Sequence, residues 1–562
     1  MSAGIPTDIR LIRSGITKQR SAFSRYVTQK KGGESPKRVA SDGQGASYVP
    51  SGRSTPEVAH RSGARFPDIG RQDKWFLLAF ALSATVLPLL YLDQPLHFDE
   101  GIFLTIGRQI AAGQTLYADI ADHKPPGIFL LAAGIYKVTE TSVVAARLLT
   151  YSVTAVSGLL VVRLGQQFAD RRAAQGAGVL FVVMSYLPHF DGYYFLTEPF
   201  ATLTLLVAAV LLGRGTRKSN AGAGVALAVG VLFNQTVFLF GATVIPWHLV
   251  RLRYPDNRTR DYVVTSVWDI LTVGVGFLVA IGAALAALGS QGLIDETVYY
   301  AFVLPFENYH TPFELWGHIL ALGTLLPVWL LASGTLLVTS IEVARGKRVD
   351  NGFLFVALWA GVLSIPGATA FSGDHKFLFA FPAIALITAT SLLRLTELGE
   401  WSRDHLFGTR PNRSALLAGL LLAVVLTTTL VAGVGNAEYA SNQLENDIAD
   451  DRAAISAAVA GLDGPMYGYN VESDLYVHSD TEPGTTYLGT IYVDGIARDK
   501  IRDLERDEVR YVVVKDNYVS DGKIVSSGYW TEHKSKMTAY LNENYEPMRR
   551  TDSYLIFERI DS

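Results

Sequence analysis

Apolar residues along this chain come in long runs separated by short charged stretches. Eleven runs stand out: 75–92, 142–162, 173–189, 199–212, 221–233, 235–250, 266–289, 317–341, 352–371, 377–393 and 414–434. A helix needs about 20 apolar residues to cross the hydrocarbon core of a bilayer. The pattern therefore predicts a polytopic all-α membrane protein of about eleven transmembrane helices over 74–435. The fourth to sixth runs are short or share a polar break at Asn234-Gln235, which predicts tilted or kinked half-spans. From residue 436 the runs shorten and alternate (RYVVVKD, TYLGTIYVD, SYLIFERI) around a polar helical stretch at 529–543. Strands interleaved with helices predict a C-terminal α/β domain over 436–562. Residues 1–73 are rich in Ser, Gly, Lys and Arg and poor in bulky apolar side chains, the pattern of a disordered tail. No secretory apolar region precedes the first run, which reads as a retained span.

Composition sharpens this picture. Only 18% of the 562 residues are charged, 49% are hydrophobic and mean hydropathy is +0.23, which excludes an ordinary soluble enzyme. The net charge of −3 conceals an opposition: residues 1–74 carry 14 Lys/Arg against 6 Asp/Glu, and residues 436–562 carry 13 against 24. Alternate loops hold 17 Lys/Arg in one set but only Arg108, Lys124, Lys137 and Lys376 in the other. By the positive-inside rule the basic tail is cytoplasmic and the acidic C-terminal domain extracytoplasmic. The absence of cysteine excludes disulfides, thiolate nucleophiles and Cys-based metal sites. With no helix-spaced HExxH pair, no metal or other cofactor is expected, although outward-facing His and carboxylates leave a divalent ion open. No phosphate-binding glycine loop is evident, and no nucleic-acid partner is expected.

The candidate chemistry gathers on the outer side. From Asp93 to the next apolar run lie about 36 residues, too many for a simple connector, and 93–128 is read as a catalytic loop. Ile102, Phe103, Ile106 and Ile110 outline a short amphipathic helix that Gly113 ends. Asp99 and Glu100 open it. Asp99 is either an N-cap, with Glu100 complementing the helix dipole, or a carboxylate that takes a proton from a hydroxyl. Asp122-His123-Lys124-Pro125-Pro126 follows, where the prolines fix an extended turn and aim Lys124. That ammonium either meets a phosphate oxygen or snorkels to the interface. Arg147 falls inside the second span, a functional position by default or a packing pair with an acidic neighbour. Further candidates are Glu198, Glu307, His310, His375 and Lys376. A lipid-phosphate-activated sugar fits such a set, because the leaving phosphate needs cations and the acceptor hydroxyl needs a base.

Phe98-Asp99-Glu100-Gly101, Asp122-His123-Lys124-Pro125-Pro126-Gly127 and Ala146-Arg147-Leu148 together resemble the GT-C glycosyltransferases, and within them the protein mannosyltransferase and aminoarabinose transferase-like group, family 39 and its relatives. Thr197-Glu198-Pro199 and His375-Lys376 through Pro382 resemble that group more loosely. The resemblance implies that Asp99 is the base, Glu100 a supporting carboxylate, and Lys124 and Arg147 ligands of the donor phosphate, with His375 and Lys376 beside them. It also implies inverting transfer from a polyprenyl or dolichyl phosphate sugar to a glycan or glycoprotein acceptor at the outer face. Asn234 stands where relatives often carry lysine. The acidic outer domain extends the likeness to archaeal dolichyl-phosphate-mannose mannosyltransferases of surface-layer protein glycosylation; a bacterial, lipid-modifying glycosyltransferase is the alternative. Two other classes compete. A flippase or transporter would place its ionisable groups near the midplane. An oligosaccharyltransferase would carry a WWDYG-like motif, which neither Gly468-Tyr469 nor Gly528-Tyr529-Trp530 reproduces.

Overall fold

Polar residues at the loop ends start several of the helices. Asp170 caps one, Thr216 and Ser219 form a capping box on another, and Thr259 and Asp350 cap two more, each accepting from an otherwise unpaired N–H. The computed structural model describes residues 71–139, 143–251, 259–307, 325–368, 374–406, 448–479, 481–489, 493–507, 509–525 and 531–560. The tail up to residue 70, the run 414–434, His310 and 528–530 lie outside them.

The helices are α1 (Arg71–Leu89), α2 (Phe98–Ala111), α3 (Gly127–Thr139), α4 (Val143–Gly165), α5 (Arg171–Ser185), α6 (Thr197–Leu212), α7 (Arg217–Phe233), α8 (Gly241–Arg251), α9 (Arg260–Gly289), α10 (Leu326–Ala344), α11 (Asn351–Leu363) and α12 (Phe381–Leu406). Among the described residues four helices are long and apolar enough to cross a membrane: Val143–Gly165, Arg260–Gly289, Leu326–Ala344 and Asn351–Ala368. Shorter apolar helices occupy Gly127–Thr139, Thr197–Leu212 and Phe381–Leu393. Among the described residues the expected crossings are thus not all present as single long helices, and the run 414–434 lies outside them. The run 235–250 is divided because the Asn234 side chain accepts the Thr236 N–H and starts a 3-10 turn over Gln235–Phe240. The tenth run likewise begins as a 3-10 turn, Asp374–Phe379.

Close packing of the bundle depends on small residues. A Cβ at Gly224 would collide with the Val273 carbonyl of α9, and one at Gly276 with the Ala221 carbonyl of α7. The two backbones touch there, as small residues permit between membrane helices. Elsewhere α9 is open: Trp268, Val275, Leu278 and Val279 are all more than half exposed, a surface for lipid.

The C-terminal region contains α13 (Ile448–Val459), β1 (Met466–Tyr469), α14 (Glu472–His478), α15 (Asp494–Arg506), β2 (Tyr511–Lys515), the hairpin β3 (Val519–Ser520) and β4 (Lys523–Ile524), α16 (Thr531–Asn544), β5 (Tyr545–Arg550) and β6 (Tyr554–Arg559). Its sheet runs β1-β2-β6-β5, with β1 parallel to β2 and the other pairs antiparallel. RYVVVKD and SYLIFERI supply central strands as expected. Within TYLGTIYVD the described stretch 486–489 does not join this sheet; Tyr487 instead bridges Ala121 of the loop 93–128. The bond pattern explains it: Ala121 N–H donates to the Thr486 carbonyl at 2.7 Å and Leu488 N–H to the Ala121 carbonyl at 3.0 Å. This segment pairs across to the first loop and ties it to the C-terminal domain. Residues 69–562 form one compact unit.

Candidate active site

The loop 93–128 is held in shape by its own contacts. His97 caps α2: its Nδ1 accepts the Asp99 N–H at 3.1 Å. Asp99 is therefore a first-turn residue and not the cap, contrary to one of the two sequence readings. A histidine cap was not legible because Ser, Thr, Asp and Asn are the usual choices. The next residue, Glu100, is fully buried and forms a two-point pair with Arg147, with Nη2 to Oε2 at 2.7 Å and Nε to Oε1 at 3.1 Å. The guanidinium also donates to the carbonyls of Leu92, Gln94 and Pro95 at 2.7–3.1 Å. Arg147 thus spends its donors within the protein, and its Cζ lies 5.0 Å from the Tyr194 ring centre. Glu100 Oε1 additionally accepts the Phe195 N–H at 3.1 Å. This geometry makes the Arg147–Glu100 pair a clamp on three segments, where the resemblance implies a phosphate ligand and a supporting carboxylate.

Beyond the clamp, Asp99 lies beside the proline turn. Lys124 Nζ is 3.6 Å from Asp99 Oδ2 and 2.8 Å from His123 Nε2. An ammonium only donates, so Nε2 of His123 accepts and its Nδ1 carries the proton. Nδ1 faces Asp122 Oδ2 at 3.3 Å and the Tyr487 hydroxyl at 3.3 Å. Asp122 Oδ1 accepts the Lys124 N–H at 3.1 Å, and the Tyr117 hydroxyl donates to the Lys124 carbonyl at 2.7 Å. Tyr117 sits at φ 69°, an uncommon conformation for a bulky residue, so the turn is fixed at some cost in strain. Burial alone would raise the Asp99 pKa, but Lys124, His97, His123 and His375 together outweigh it and hold the carboxyl well below its usual range.

A second cluster adjoins the first. Glu198 Oε1 lies 3.1 Å from Lys376 Nζ and 3.8 Å from His375 Nε2, and accepts from Asn234 Nδ2 at 2.9 Å. Thr197 donates to its other oxygen at 3.0 Å. His375 meets the His97 ring edge-on at 6.4 Å between centres, which brings the 3-10 turn to the cap of α2. Burial pushes the His375 pKa down to about 4 despite the Glu198 carboxylate. Burial also lowers Lys376, which Glu198 and Asp99 partly restore and Lys124 opposes. Asn234 is fully buried here as a donor to Glu198 and Thr197. Thus Asp99, Asp122, His123, Lys124, Glu198, His375 and Lys376, from three stretches of sequence, share one region. Glu307 ends the short helix Leu304–Glu307, and its side chain, like His310, lies outside the described residues. Among the described residues no group of three or more His, Asp or Glu is placed to hold a metal ion.

Sequence reasoning missed Tyr487 and Tyr300. The rings of Tyr117 and Tyr300 stack at 6.0 Å, as do those of Tyr300 and Tyr487. Tyr300 comes from a π-helical turn, Tyr299–Val303, a feature enriched at functional sites. Gly489 packs closely here: a Cβ there would press on the Asp122 carboxylate and the Tyr487 hydroxyl, which would have to shift.

No family model and no curated sequence matches the chain. Solved structures do. ArnT from Cupriavidus metallidurans bound to undecaprenyl phosphate aligns over 87% of this chain and 98% of its own, with TM-score 0.57 and 14% identity. The Archaeoglobus fulgidus oligosaccharyltransferase tethered to an acceptor peptide aligns over 85% of this chain and 72% of its own, with TM-score 0.51 and 12% identity. The chain shares the fold of both, mostly helical with a small C-terminal sheet.

Proposed function

We propose that this protein is an inverting glycosyltransferase that moves a sugar, mannose in the first instance, from a polyprenyl or dolichyl phosphate to a glycan or protein acceptor at the outer face of the membrane. The observation that carries the reading is the 3.6 Å approach of Lys124 to Asp99 beside a second ammonium, Lys376. In the reaction the acceptor oxygen attacks the anomeric carbon as the bond from that carbon to the phosphate oxygen breaks. The acceptor proton passes to Asp99, and the lipid phosphate leaves with the bonding electron pair. Lys124 and Lys376 stabilise the charge that develops on it. A single displacement inverts the anomeric centre.

The depressed pKa of Asp99 is consistent with this order of events. A strongly acidic carboxyl is a poor base while Lys124 neutralises it. Once a lipid phosphate shares that ammonium, an anion has joined the cluster and the Asp99 pKa rises. The Arg147–Glu100 clamp then acts as a positioning element, holding α2 against the start of α4. Both aligned structures come from glycosyltransferases, one of them with a lipid phosphate bound, which supports the donor class. Purified protein in liposomes loaded with radiolabelled polyprenyl-phosphate mannose tests the class: label appearing in an acceptor fraction supports a transferase, and donor crossing the bilayer without transfer supports a flippase.

A further inference from the structure

Among the described residues Lys500 is the one lysine with 0% exposure, and the site described above does not use it. It sits on α15 with its Nζ 3.5 Å from Glu472 Oε1 on α14, a carboxylate that is also buried. The ammonium makes no hydrogen bond within the protein. It lies 5.3 Å from the Tyr467 ring centre and 5.8 Å from that of Tyr487, within cation–π range. Burial lowers the Lys500 pKa, while Glu472, Asp122 and Asp503 raise it. Asp122 belongs to the loop 93–128, so this cation acts on that loop from the C-terminal domain. Replacing a buried ion pair by apolar residues of like size is often neutral or stabilising, so stability alone does not account for this one.

The contacts of Lys500 lead to the Asp99 cluster. Three residues further along the same face of α15, Asp503 Oδ2 accepts the Thr486 N–H at 2.8 Å, and the Thr486 carbonyl accepts the Ala121 N–H. Next in the chain, Tyr487 presents its ring to Lys500 and its hydroxyl to His123 Nδ1 at 3.3 Å. His123 Nε2 accepts from Lys124 Nζ, which stands 3.6 Å from Asp99. Glu472 opens α14, and the following residue packs on α2: a Cβ at Gly101 would come within 2.7 Å of the Ser473 Cα. The ion pair therefore ties together the two helices that hold the loop, α14 at Gly101 and α15 through 486–488.

We propose that Lys500 is a positioning residue for the transfer reaction: by holding the Tyr487 ring it fixes His123, and through His123 the Lys124 ammonium that faces Asp99. Its part in turnover rests on the glycosyltransferase reading; its hold on the loop does not. The test variant combines Lys500→Met with Glu472→Gln, so that neither charge is stranded. A second variant, Lys500→Gln, removes the cation but leaves an amide that can donate to Glu472, and is expected to behave alike. Hydrogen exchange followed by mass spectrometry on full-length protein in detergent reads the loop directly. Segment 117–124 is expected to exchange about tenfold faster than in wild type, with α4 unchanged. In liposomes with polyprenyl-phosphate mannose, kcat is expected to fall about fivefold with donor KM within about twofold of wild type. Adding Tyr487→Phe should then cost no more than about a further 1.5-fold, because both changes act through the same contact on His123. Unchanged exchange at 117–124 in a folded variant would overturn the proposal, whatever the reaction proves to be. So would effects of Lys500 and Tyr487 that multiply in full, or a change in KM alone. Absence of transfer by wild-type protein would count against the glycosyltransferase reading, and the exchange result would still decide whether Lys500 holds the loop.

Discussion

Arg147 and Glu100 meet at 2.7 Å with both side chains fully buried, and the same guanidinium holds the carbonyls of residues 92, 94 and 95. Removing one partner of such a pair leaves the other charged and unmatched, at a cost of about 3–5 kcal/mol. Arg147→Met and Glu100→Gln are each expected to lower the unfolding midpoint strongly. The double variant should recover part of the loss, because neither charge is then stranded. Differential scanning fluorimetry of all four proteins in one detergent measures it; equal stability of the single variants and wild type would remove the clamp.

The pH dependence follows from the directions of the shifts. Asp99 is held well below the usual carboxylate range and His375 near 4, so neither changes charge between pH 5.5 and 8. The kcat/KM profile, which reports the free enzyme, should show no acid limb from them in that window. Lys124→Met removes the largest of the charges lowering Asp99 and should move the acid limb upward, toward neutral pH. Asp99's contribution to stability has the sign of a depressed acid: present above its unfolded value near 3.9, and lost as pH falls through the folded one.

Tyr487 reaches His123 from the C-terminal domain at 3.3 Å. Tyr487→Phe deletes that contact but leaves Asp122 on the imidazole. One hydrogen bond is worth about 1 kcal/mol, so kcat should fall about fivefold with donor KM little changed. Steady-state kinetics at saturating acceptor separates the two; a change in KM alone would make the contact one of binding.

Asp99 and Glu198 already face cations, Lys124 and Lys376 respectively. Turnover is therefore expected to survive exhaustive EDTA treatment within about twofold. Loss of activity restored by one divalent ion would reverse this expectation.

What the sequence made visible depended on how close in the chain the partners lie. Asp99, Glu100 and the Asp122–Lys124 turn occur within one loop, and that crowding marked them. The amphipathic helix was legible from Ile102, Phe103, Ile106 and Ile110, and its end from Gly113, which stands at φ 109°. Glu198, Asn234 and Lys376 meet across long stretches of chain, and nothing in their spacing announced the contact. The strand Met466–Tyr469 is only four residues long and contains a glycine, too little for an alternation signal. Tyr487 sat in an apolar segment that reads as a strand, and it does pair, although with the outer loop.

The most direct test is single-turnover sugar transfer by Asp99→Asn, with donor binding measured on the same preparation. The account predicts that transfer falls by a factor on the order of 10² to 10⁴, the span of a lost general base, while lipid-phosphate sugar binds within about threefold of wild type through Lys124 and Lys376. Transfer at the wild-type rate with Asp99 replaced would contradict it.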